Sequence, residues 1–274
     1  MREPAAIDSL HNARVRAARA LRTRKGRLAA QACLVEGPHA VAAAIDAGHA
    51  VQELFVTADR AAAVADLGSH ASGRPVAVRL VTERVLDALA ETVTPQGVVA
   101  VVAIPVVSVG EVYATRPRLT VVLDQVADPG NAGTVVRTAD AAGAGGVVLT
   151  AGSTDVWSGK AVRASAGSVF HLPIVTGVPA AAAIACAAGA GVTVLATAAD
   201  GDADLDDLID DGSLAGPCAW VFGGEARGVP DEVRRLADRV VRIPLHGRAE
   251  SLNLATAAAV CLYASAHAGR RALP

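Results

Sequence analysis

Residues 119–140 have the sequence LTVVLDQVADPGNAGTVVRTAD, in which an apolar run, a polar turn and a helical pattern follow one another. The run Leu119–Leu123 is short and rich in β-branched residues, which favours a buried strand, and a second such run follows at residues 145–149. Together they predict a βαβ unit. Ligands of such units gather where the end of a strand meets the start of a helix. Residues 128–131 lie at that junction, with Asn131 as the expected N-cap of the helix.

Arg137 falls in the second turn of this predicted helix, whose other residues are mostly Ala, Val, Thr and Gly. A guanidinium at the carboxyl edge of a sheet needs an anion or a carboxylate as its partner. Arg137 is therefore a candidate for anion binding. A solvated surface arginine after an ordinary turn is the alternative, and this segment alone does not decide between them.

Two later segments follow the same plan, because each begins where an apolar strand ends. The predicted strand over 218–222 runs into a Gly-Gly pair at 223–224, which lets the backbone approach a ligand closely, and then into Glu225. The predicted strand over 238–243 runs into a polar loop that ends at Ser251, which we expect to cap the last helix. Three polar loops thus follow three apolar strands.

These segments resemble, in order and in residue type, the three motifs of the SpoU (TrmH) class of the SPOUT methyltransferases. Proteins of that class methylate ribose 2′-hydroxyls of RNA with S-adenosylmethionine. The resemblance runs from about residue 118 to the C-terminus. It extends more loosely over the first hundred residues, which look like the substrate-binding domain of the family's ribosomal RNA members. One departure is visible: the second motif usually reads Gly-Asn-Glu, whereas residues 223–225 are Gly-Gly-Glu, so a side-chain amide is missing.

The resemblance implies two sets of site residues and no metal. The implied catalytic residues are Asn131 and Arg137 from the first motif, Glu225 from the second, and Ser251 and Asn253 from the third. The implied cofactor-binding residues, which should hold a bent S-adenosylmethionine, are Leu195, Ala196, Thr197, Gly223, Gly224, Ile243, Leu245 and Leu252. Plain core packing is the alternative for the apolar members of the second set.

The residue that takes the proton from the 2′-hydroxyl stays open. The resemblance implies Arg137 acting with an RNA phosphate, but an arginine is essentially always protonated, which favours a role as an anchor for that phosphate. Glu225 is chemically the better proton acceptor. Its alternative role is to hold Arg137 in place.

The length of 274 residues suggests about two domains. Prolines bracket residues 105–117, which we predict to be a linker between a substrate-binding domain, residues 1–104, and a methyltransferase domain, residues 118–274. Both domains are predicted to be α/β. The resemblance implies an L30e-like fold for the first. For the second it implies a mostly parallel sheet with helices on both faces and a deep trefoil knot.

Alternating apolar patterns predict the elements of both domains. In the first hundred residues, helices are expected near 10–22, 38–47, 60–67 and 82–90, and strands near 33–35, 51–56, 76–81 and 98–103. Farther along, strands are expected near 119–123, 146–150, 172–175, 192–197, 218–222 and 238–243, and helices near 131–142, 158–166, 179–188, 230–236 and 251–268.

The charge is unevenly distributed, although the net charge is only −2. Residues 1–30 carry eight basic and two acidic side chains, hence +6, which leaves −8 for the remaining residues. The basic residues cluster along a predicted helix, which indicates a face that contacts phosphates. The predicted RNA-binding residues are Arg16, Arg19, Arg22, Arg24, Lys25 and Arg27. A basic helix that is merely solvated is the alternative.

The cysteines and the apolar runs indicate the compartment. The four cysteines, Cys33, Cys186, Cys218 and Cys261, are far apart and form no CxxC pair, so we expect buried thiols in a reducing compartment and no structural zinc. The N-terminus lacks the apolar segment of a signal peptide, and the run at 97–109 is too short to span a bilayer. A cytoplasmic protein is expected.

Three classes of function compete. The resemblance favours an RNA ribose methyltransferase that acts as a homodimer on 23S ribosomal RNA, with transfer RNA as the alternative substrate; some family members of this layout confer antibiotic resistance. A non-catalytic ribosome-assembly protein on the same fold is the second class. The third is a dinucleotide-binding enzyme. Its only support is the glycine cluster at 143–146, which lacks the full fingerprint spacing and runs from helix to strand, the reverse of the required order.

Overall fold

The computed structural model describes residues 5–62, 64 and 76–271. Its internal contacts divide the chain into two compact units. The first comprises residues 1–105 and 155–171, and the second comprises residues 106–154 and 172–274. The helix expected near 60–67 lies partly outside the described residues.

The bounds of the elements follow the chain. The strands are β1 Ala32–Glu36, β2 Val51–Val56, β3 Ala77–Leu80, β4 Val98–Ala103, β5 Leu119–Asp124, β6 Val147–Thr150, β7 Ile174–Val178, β8 Thr193–Thr197, β9 Ala203–Asp204, β10 Cys218–Gly223 and β11 Arg239–Arg242. The helices used below are α1 Ala13–Ala20, α2 Arg24–Ala30, α3 Pro38–Asp46, α4 Glu83–Leu89, α5 Val109–Ala114, α6 Pro129–Ala141, α7 Gly159–Ser165, α8 Ala180–Gly189, α9 Leu205–Asp210, α10 Asp231–Arg234 and α11 Leu254–Arg271.

In the first unit a four-stranded sheet has the order β1-β4-β2-β3. β4 pairs antiparallel with both of its neighbours, and β2 pairs parallel with β3. The core against α1 and α4 contains the fully buried side chains of Val15, Phe55 and Leu89. The single helix predicted over 10–22 is wrong at its C-terminal end. α1 stops at Ala20, and Thr23 caps a second helix by accepting the N–H of Gly26.

In the second unit a seven-stranded sheet has the order β7-β6-β5-β10-β8-β11-β9. All its strand pairs are parallel, so the predicted mostly parallel sheet is confirmed. β5 and β10 are buried along their whole length, as expected for the centre of such a sheet. Their register places Gly223 opposite Asp124. The loops that follow these two strands therefore start side by side.

The segment 105–117, predicted to be a linker, contains helix α5. Ser108 and Glu111 form a capping box at its start, in which the hydroxyl accepts the N–H of Glu111 and the carboxylate accepts the N–H of Ser108. Val112 and Tyr113 are buried in the core of the second unit. The prolines at both ends of the segment hid this short helix in the sequence, although Ser-x-x-Glu was present as its signal.

Two predicted helix caps are wrong. α6 starts at Pro129, and Asp128 caps it by accepting the N–H of Asn131 at 2.8 Å, so Asn131 lies inside the first turn. α11 starts at Leu254, and Asn253 caps it by accepting the N–H of Ala255 at 2.9 Å, in place of Ser251. In both cases a second side chain of the favoured capping type stood two or three residues away, and spacing alone did not separate the candidates.

All four cysteines are free. Cys33, Cys218 and Cys261 are buried, and burial raises the pKa of Cys33 to about 12, which makes an inert thiol. The prediction of a buried thiol is wrong for Cys186, because α8 turns Ala183, Ile184 and Ala187 inward and leaves Cys186 exposed. None of the described helices combines the length and the apolar character needed to cross a bilayer.

Candidate active site

The carboxyl ends of four neighbouring strands bring the three polar loops together. β5, β10, β8 and β11 are consecutive and parallel, so the loops that leave them emerge at one edge of the sheet. Asn131 comes from the loop and helix after β5, Glu225 from the loop after β10, and Asn253 from the loop after β11. The predicted convergence of these motifs is what the structure shows.

A chain of side-chain hydrogen bonds links these three residues. The amide of Asn131 donates to Oε1 of Glu225 at 2.8 Å, and the amide of Asn253 donates to Oδ1 of Asn131 at 3.2 Å. Because an ionised carboxylate only accepts, Asn131 must turn its NH₂ group toward Glu225 and its oxygen toward Asn253. The oxygen of Asn253 is already occupied by the N–H groups that begin α11. The orientation of both amides is therefore fixed.

Glu225 is held as a carboxylate. Its Oε2 accepts the backbone N–H of Ala127 at 3.2 Å. Partial burial acts to raise the pKa of Glu225, but hydrogen bonds from Asn131 and from the backbone of Glu225, Ala127 and Asp128 outweigh it, so the pKa is lowered. A carboxylate with a lowered pKa is a weak proton acceptor. In this structure Glu225 fixes Asn131, and it does not hold Arg137.

Arg137 lies apart from this chain of bonds. It is exposed on α6, six residues after Asn131. Six residues advance about 9 Å along a helix and end about 120° around its axis, so the two side chains point in different directions. Within the described part of the chain, no hydrogen bond joins Arg137 to Asn131, Glu225 or Asn253. The structure thus separates one predicted catalytic residue from the others.

A cavity of about 430 Å³ adjoins Glu225 at the same edge of the sheet. Of the predicted cofactor-binding residues, those that line it are Thr197, Gly223, Gly224, Ile243, Leu245 and Leu252, and the predicted catalytic residues Ser251 and Glu225 line it as well. Leu195 and Ala196 do not line it. They are buried within β8, whose last residue, Thr197, reaches the cavity.

The lining fits an adenosyl ligand with a cationic centre. Phe222, Ile243 and Leu252 provide apolar walls, and the backbone at Gly223 approaches closely because an added Cβ there would collide with the backbone of Gly228. Glu225 and Glu250 place carboxylates at the cavity. A volume of a few hundred Å³ with apolar walls and a few polar groups is typical of cofactor sites.

Three residues of the cavity were missed by sequence reasoning. Asp204 and Arg242 form an ion pair with a 2.9 Å N–O distance on its wall, and Gly228 has φ +63°, in the left-handed region. The glycine had a signal, because it precedes Val-Pro after the second motif in a position that demands a turn. The ion pair joins β9 to β11, and β9 is too short to be recognised from the sequence.

The predicted RNA-binding residues divide into two groups. Those that are exposed on α1, on α2 and between them are Arg16, Arg19, Arg22, Arg24 and Lys25. The prediction is wrong for Arg27, which is 5% exposed and pairs with Asp155 at 2.7 Å through Nε and a terminal nitrogen. Arg27 also donates to the carbonyl of Leu21. Its guanidinium is therefore part of the interior of the first unit.

No group of three or more His, Cys, Asp or Glu side chains suited to a metal ion occurs among residues 5–62, 64 and 76–271. An apolar cavity beside a carboxylate and two oriented amides, at the carboxyl edge of a parallel sheet, defines an α/β domain that binds a small-molecule ligand.

Comparison with known proteins identifies the family. The model of the SpoU rRNA Methylase family matches residues 118–263, and the model of the MRM3-like substrate binding domain matches residues 12–100. The chain belongs to the SpoU rRNA methylase family.

Its relatives are similar over nearly the whole chain. The 23S rRNA (guanosine(2553)-2′-O)-methyltransferase RlmP of Bacillus subtilis is 34% identical over 258 residues, which are 94% of this chain and 97% of the relative. A 23S rRNA (uridine(2479)-2′-O)-methyltransferase of Streptomyces viridochromogenes is 31% identical over 243 residues, 88% of this chain and 83% of the relative. The AdoMet-bound rRNA methyltransferase from Sinorhizobium meliloti has a crystal structure that matches with a TM-score of 0.85 at 34% identity, covering 98% of this chain and 99% of that one.

Proposed function

We propose that this protein transfers a methyl group from S-adenosylmethionine to the 2′-hydroxyl of one ribose in 23S ribosomal RNA, in the cytoplasm and as a homodimer. The observation that carries the proposal is the cavity next to the hydrogen-bonded Asn131, Glu225 and Asn253. Support for the substrate comes from the two relatives named above, whose names give 23S rRNA and 2′-O-methylation.

The cavity residues would hold the cofactor, which when bound supplies an electrophilic methyl group on a positively charged sulfur. The apolar walls at Ile243, Leu245 and Leu252 suit the adenosyl part. The carboxylate of Glu225, at the cavity rim, favours the positive charge electrostatically, because its lowered pKa keeps it ionised at neutral pH.

The reacting hydroxyl has a pKa of roughly 12 to 13, so its full ionisation at neutral pH would cost about 7 to 8 kcal/mol. The protein therefore gains more by aligning the hydroxyl with the methyl group than by ionising the hydroxyl first. Asn131 and Asn253 each keep an amide hydrogen beyond the bonds they already make, and we assign them to orient the ribose oxygens. Ser251, exposed at the cavity, is assigned to the same loop surface.

Arg137 is assigned to the second subunit's site. It is exposed on α6, which packs against α11. α11 in turn exposes apolar side chains, with Val260 at 41% and Tyr263 at 54% exposure. Surface apolar and aromatic groups on one side of a packed helix pair suit an isologous contact between copies. Such a contact would let Arg137 of one copy bind the RNA phosphate beside the ribose held by the other copy's amides.

The alternatives make different demands on the same residues. A non-catalytic assembly protein on this fold has no need of the hydrogen bonds that fix the amides of Asn131 and Asn253, and the preserved bonds favour an enzyme. A transfer RNA substrate is less favoured, because the two relatives named above are similar to most of the chain and both are named for 23S rRNA.

Methyl transfer to defined RNAs tests the proposal. The protein is incubated with tritiated S-adenosylmethionine and, in separate reactions, deproteinised large-subunit RNA, small-subunit RNA or transfer RNA. Label in large-subunit RNA alone is expected. Label in transfer RNA alone would establish the alternative substrate, and label in none of them, with cofactor binding intact by calorimetry, would favour the non-catalytic protein.

A further inference from the structure

Asp124 and Thr150, which belong to none of the predicted site residues, form a buried pair at the ends of β5 and β6. Oδ1 of Asp124 accepts the hydroxyl of Thr150 at 2.6 Å, and Asp124 is 2% exposed. The other oxygen, Oδ2, is buried and has no hydrogen-bond partner among the described residues. Leaving a buried carboxylate oxygen unpaired is unfavourable, so the pair needs an explanation other than stability.

The pair holds the next residue in an unfavourable backbone conformation. Thr150 Oγ1 accepts the backbone N–H of Gln125 at 3.1 Å, and Gln125 has φ +52°, in the left-handed region that residues with side chains avoid. Two further bonds tie the same stretch to the residues after β6. The hydroxyl of Ser153 donates to the carbonyl of Leu123, and the N–H of Thr154 donates to the carbonyl of Val126 at 2.7 Å. Residues 123–126 are thus fixed from one side.

Gly224 lies against the opposite side of this turn. A Cβ added at Gly224 would collide with the carbonyl oxygen of Gln125. The absence of the family's usual asparagine at this position therefore has a structural reason in this chain: the turn occupies the volume that the side chain would need.

The turn leads directly to the carboxylate of the site. Ala127, two residues after Gln125, donates its N–H to Oε2 of Glu225 at 3.2 Å. The direction of that N–H depends on how the chain leaves Gln125. The carboxylate it holds then fixes the amide of Asn131 at 2.8 Å.

We propose that Asp124, Gln125 and Thr150, here called the Thr150 clamp, are positioning residues that set the loop at 125–127 so that Glu225 is held as an ionised acceptor for Asn131. Gly224 is the residue that leaves room for the clamp. This proposal rests on the proposed methyl transfer for its purpose, but the geometry it describes belongs to the protein alone.

Titration of Glu225 tests the clamp without RNA. Carbon-13 NMR of the side-chain carboxylates, with the Glu225 signal assigned by comparison with Glu225→Gln, gives its pKa in the whole protein. Thr150→Val keeps the shape but removes the hydroxyl, and the pKa of Glu225 should rise toward the ordinary glutamate value. Thr150→Ser restores the hydroxyl and should titrate like the wild type. Thr120→Val is the matched control, because it removes a buried hydroxyl that bonds only Tyr113 on the same sheet.

A second variant approaches the clamp from the other side. Gly224→Ala adds only the colliding Cβ and should also raise the pKa of Glu225. Gly216→Ala, which meets no atom within 4 Å, is its control. In both clamp variants kcat should fall by about 10- to 100-fold while the affinity for S-adenosylmethionine changes by less than about 3-fold, as for other residues that act through a neighbour.

Identical Glu225 titrations in Thr150→Val, Gly224→Ala and their controls would overturn the clamp, even if methyl transfer is found. If the wild type methylates no RNA, the proposed function fails instead. A raised pKa in the two clamp variants would still support the clamp in that case.

Discussion

The side-chain amide of Asn131 donates to Oε1 of Glu225 across 2.8 Å, which joins the first and the second motif of the site by one bond of fixed direction. Asn131→Asp has almost the same shape but replaces the donor with a second carboxylate, so two like charges would meet at that distance. Methyl transfer should fall more in Asn131→Asp than in Asn131→Ala. Single-turnover rates with saturating RNA measure this, and equal losses in the two variants would mean that the bond does not matter to the reaction.

Glu225 should also contribute to stability in a defined pH range. Its folded-state pKa is lowered from 4.5, so its contribution is present above that value and is lost as the pH falls through the lower folded-state pKa. The difference in melting temperature between the wild type and Glu225→Gln should be constant from neutral pH down to about 5 and shrink below it. A difference that grows on acidification would contradict the lowered pKa.

Arg137→Ala should retain S-adenosylmethionine affinity within about 3-fold and lose methyl transfer, because Arg137 is exposed and does not line the cavity. Calorimetry and the tritium assay separate the two effects. Lost cofactor binding in this variant would contradict the assignment of Arg137 to RNA.

Mixing two inactive variants tests whether the site is shared between subunits. In an equal mixture of Arg137→Ala and Asn131→Asp, half of the dimers are mixed, and each contains one site with both residues intact, so about one quarter of the wild-type activity should return. The control is either variant mixed with itself. No recovery, in a sample shown by sedimentation to exchange subunits, would place both residues in the same copy's site.

The basic face of the first unit predicts a salt dependence. Arg16, Arg19 and Arg22 are exposed, and if each meets one phosphate of single-stranded RNA, changing all three to glutamine should reduce the slope of log K against log salt by about 2. Fluorescence anisotropy at several salt concentrations measures it. Arg14→Gln is the comparison, since Arg14 already pairs with Glu53 at 3.0 Å and should change the slope less. An unchanged slope in the triple variant would remove this face from RNA binding.

Arg27 should act on stability instead. Its pair with Asp155 is buried, with side chains 7% and 16% exposed, so Arg27→Met leaves a carboxylate without its partner and should lower the free energy of unfolding by about 3 to 5 kcal/mol. Urea denaturation measures this loss. A change within experimental error would mean that the carboxylate finds water or another partner in the variant.

The parallel sheet and the converging loops were predictable because buried parallel strands are continuous apolar runs and their carboxyl ends share one edge. The roles within the site were less accessible. Sequence reasoning paired Glu225 with Arg137, whereas the contact is with Asn131, because a helix turns residues six positions apart away from each other. Arg27 looked like its exposed neighbours, since its partner Asp155 is distant along the chain. Asp124 and Thr150 carry no motif and became visible only through their contact.

The position of the transferred methyl group tests the central proposal most directly. Large-subunit RNA labelled by the protein with tritiated S-adenosylmethionine is hydrolysed with alkali, which cannot cleave next to a 2′-O-methylated ribose. The label should appear in a single alkali-resistant dinucleotide with the wild type and be absent with Asn131→Asp. Label released as mononucleotide would place the methyl group on a base and contradict the proposed function of the site.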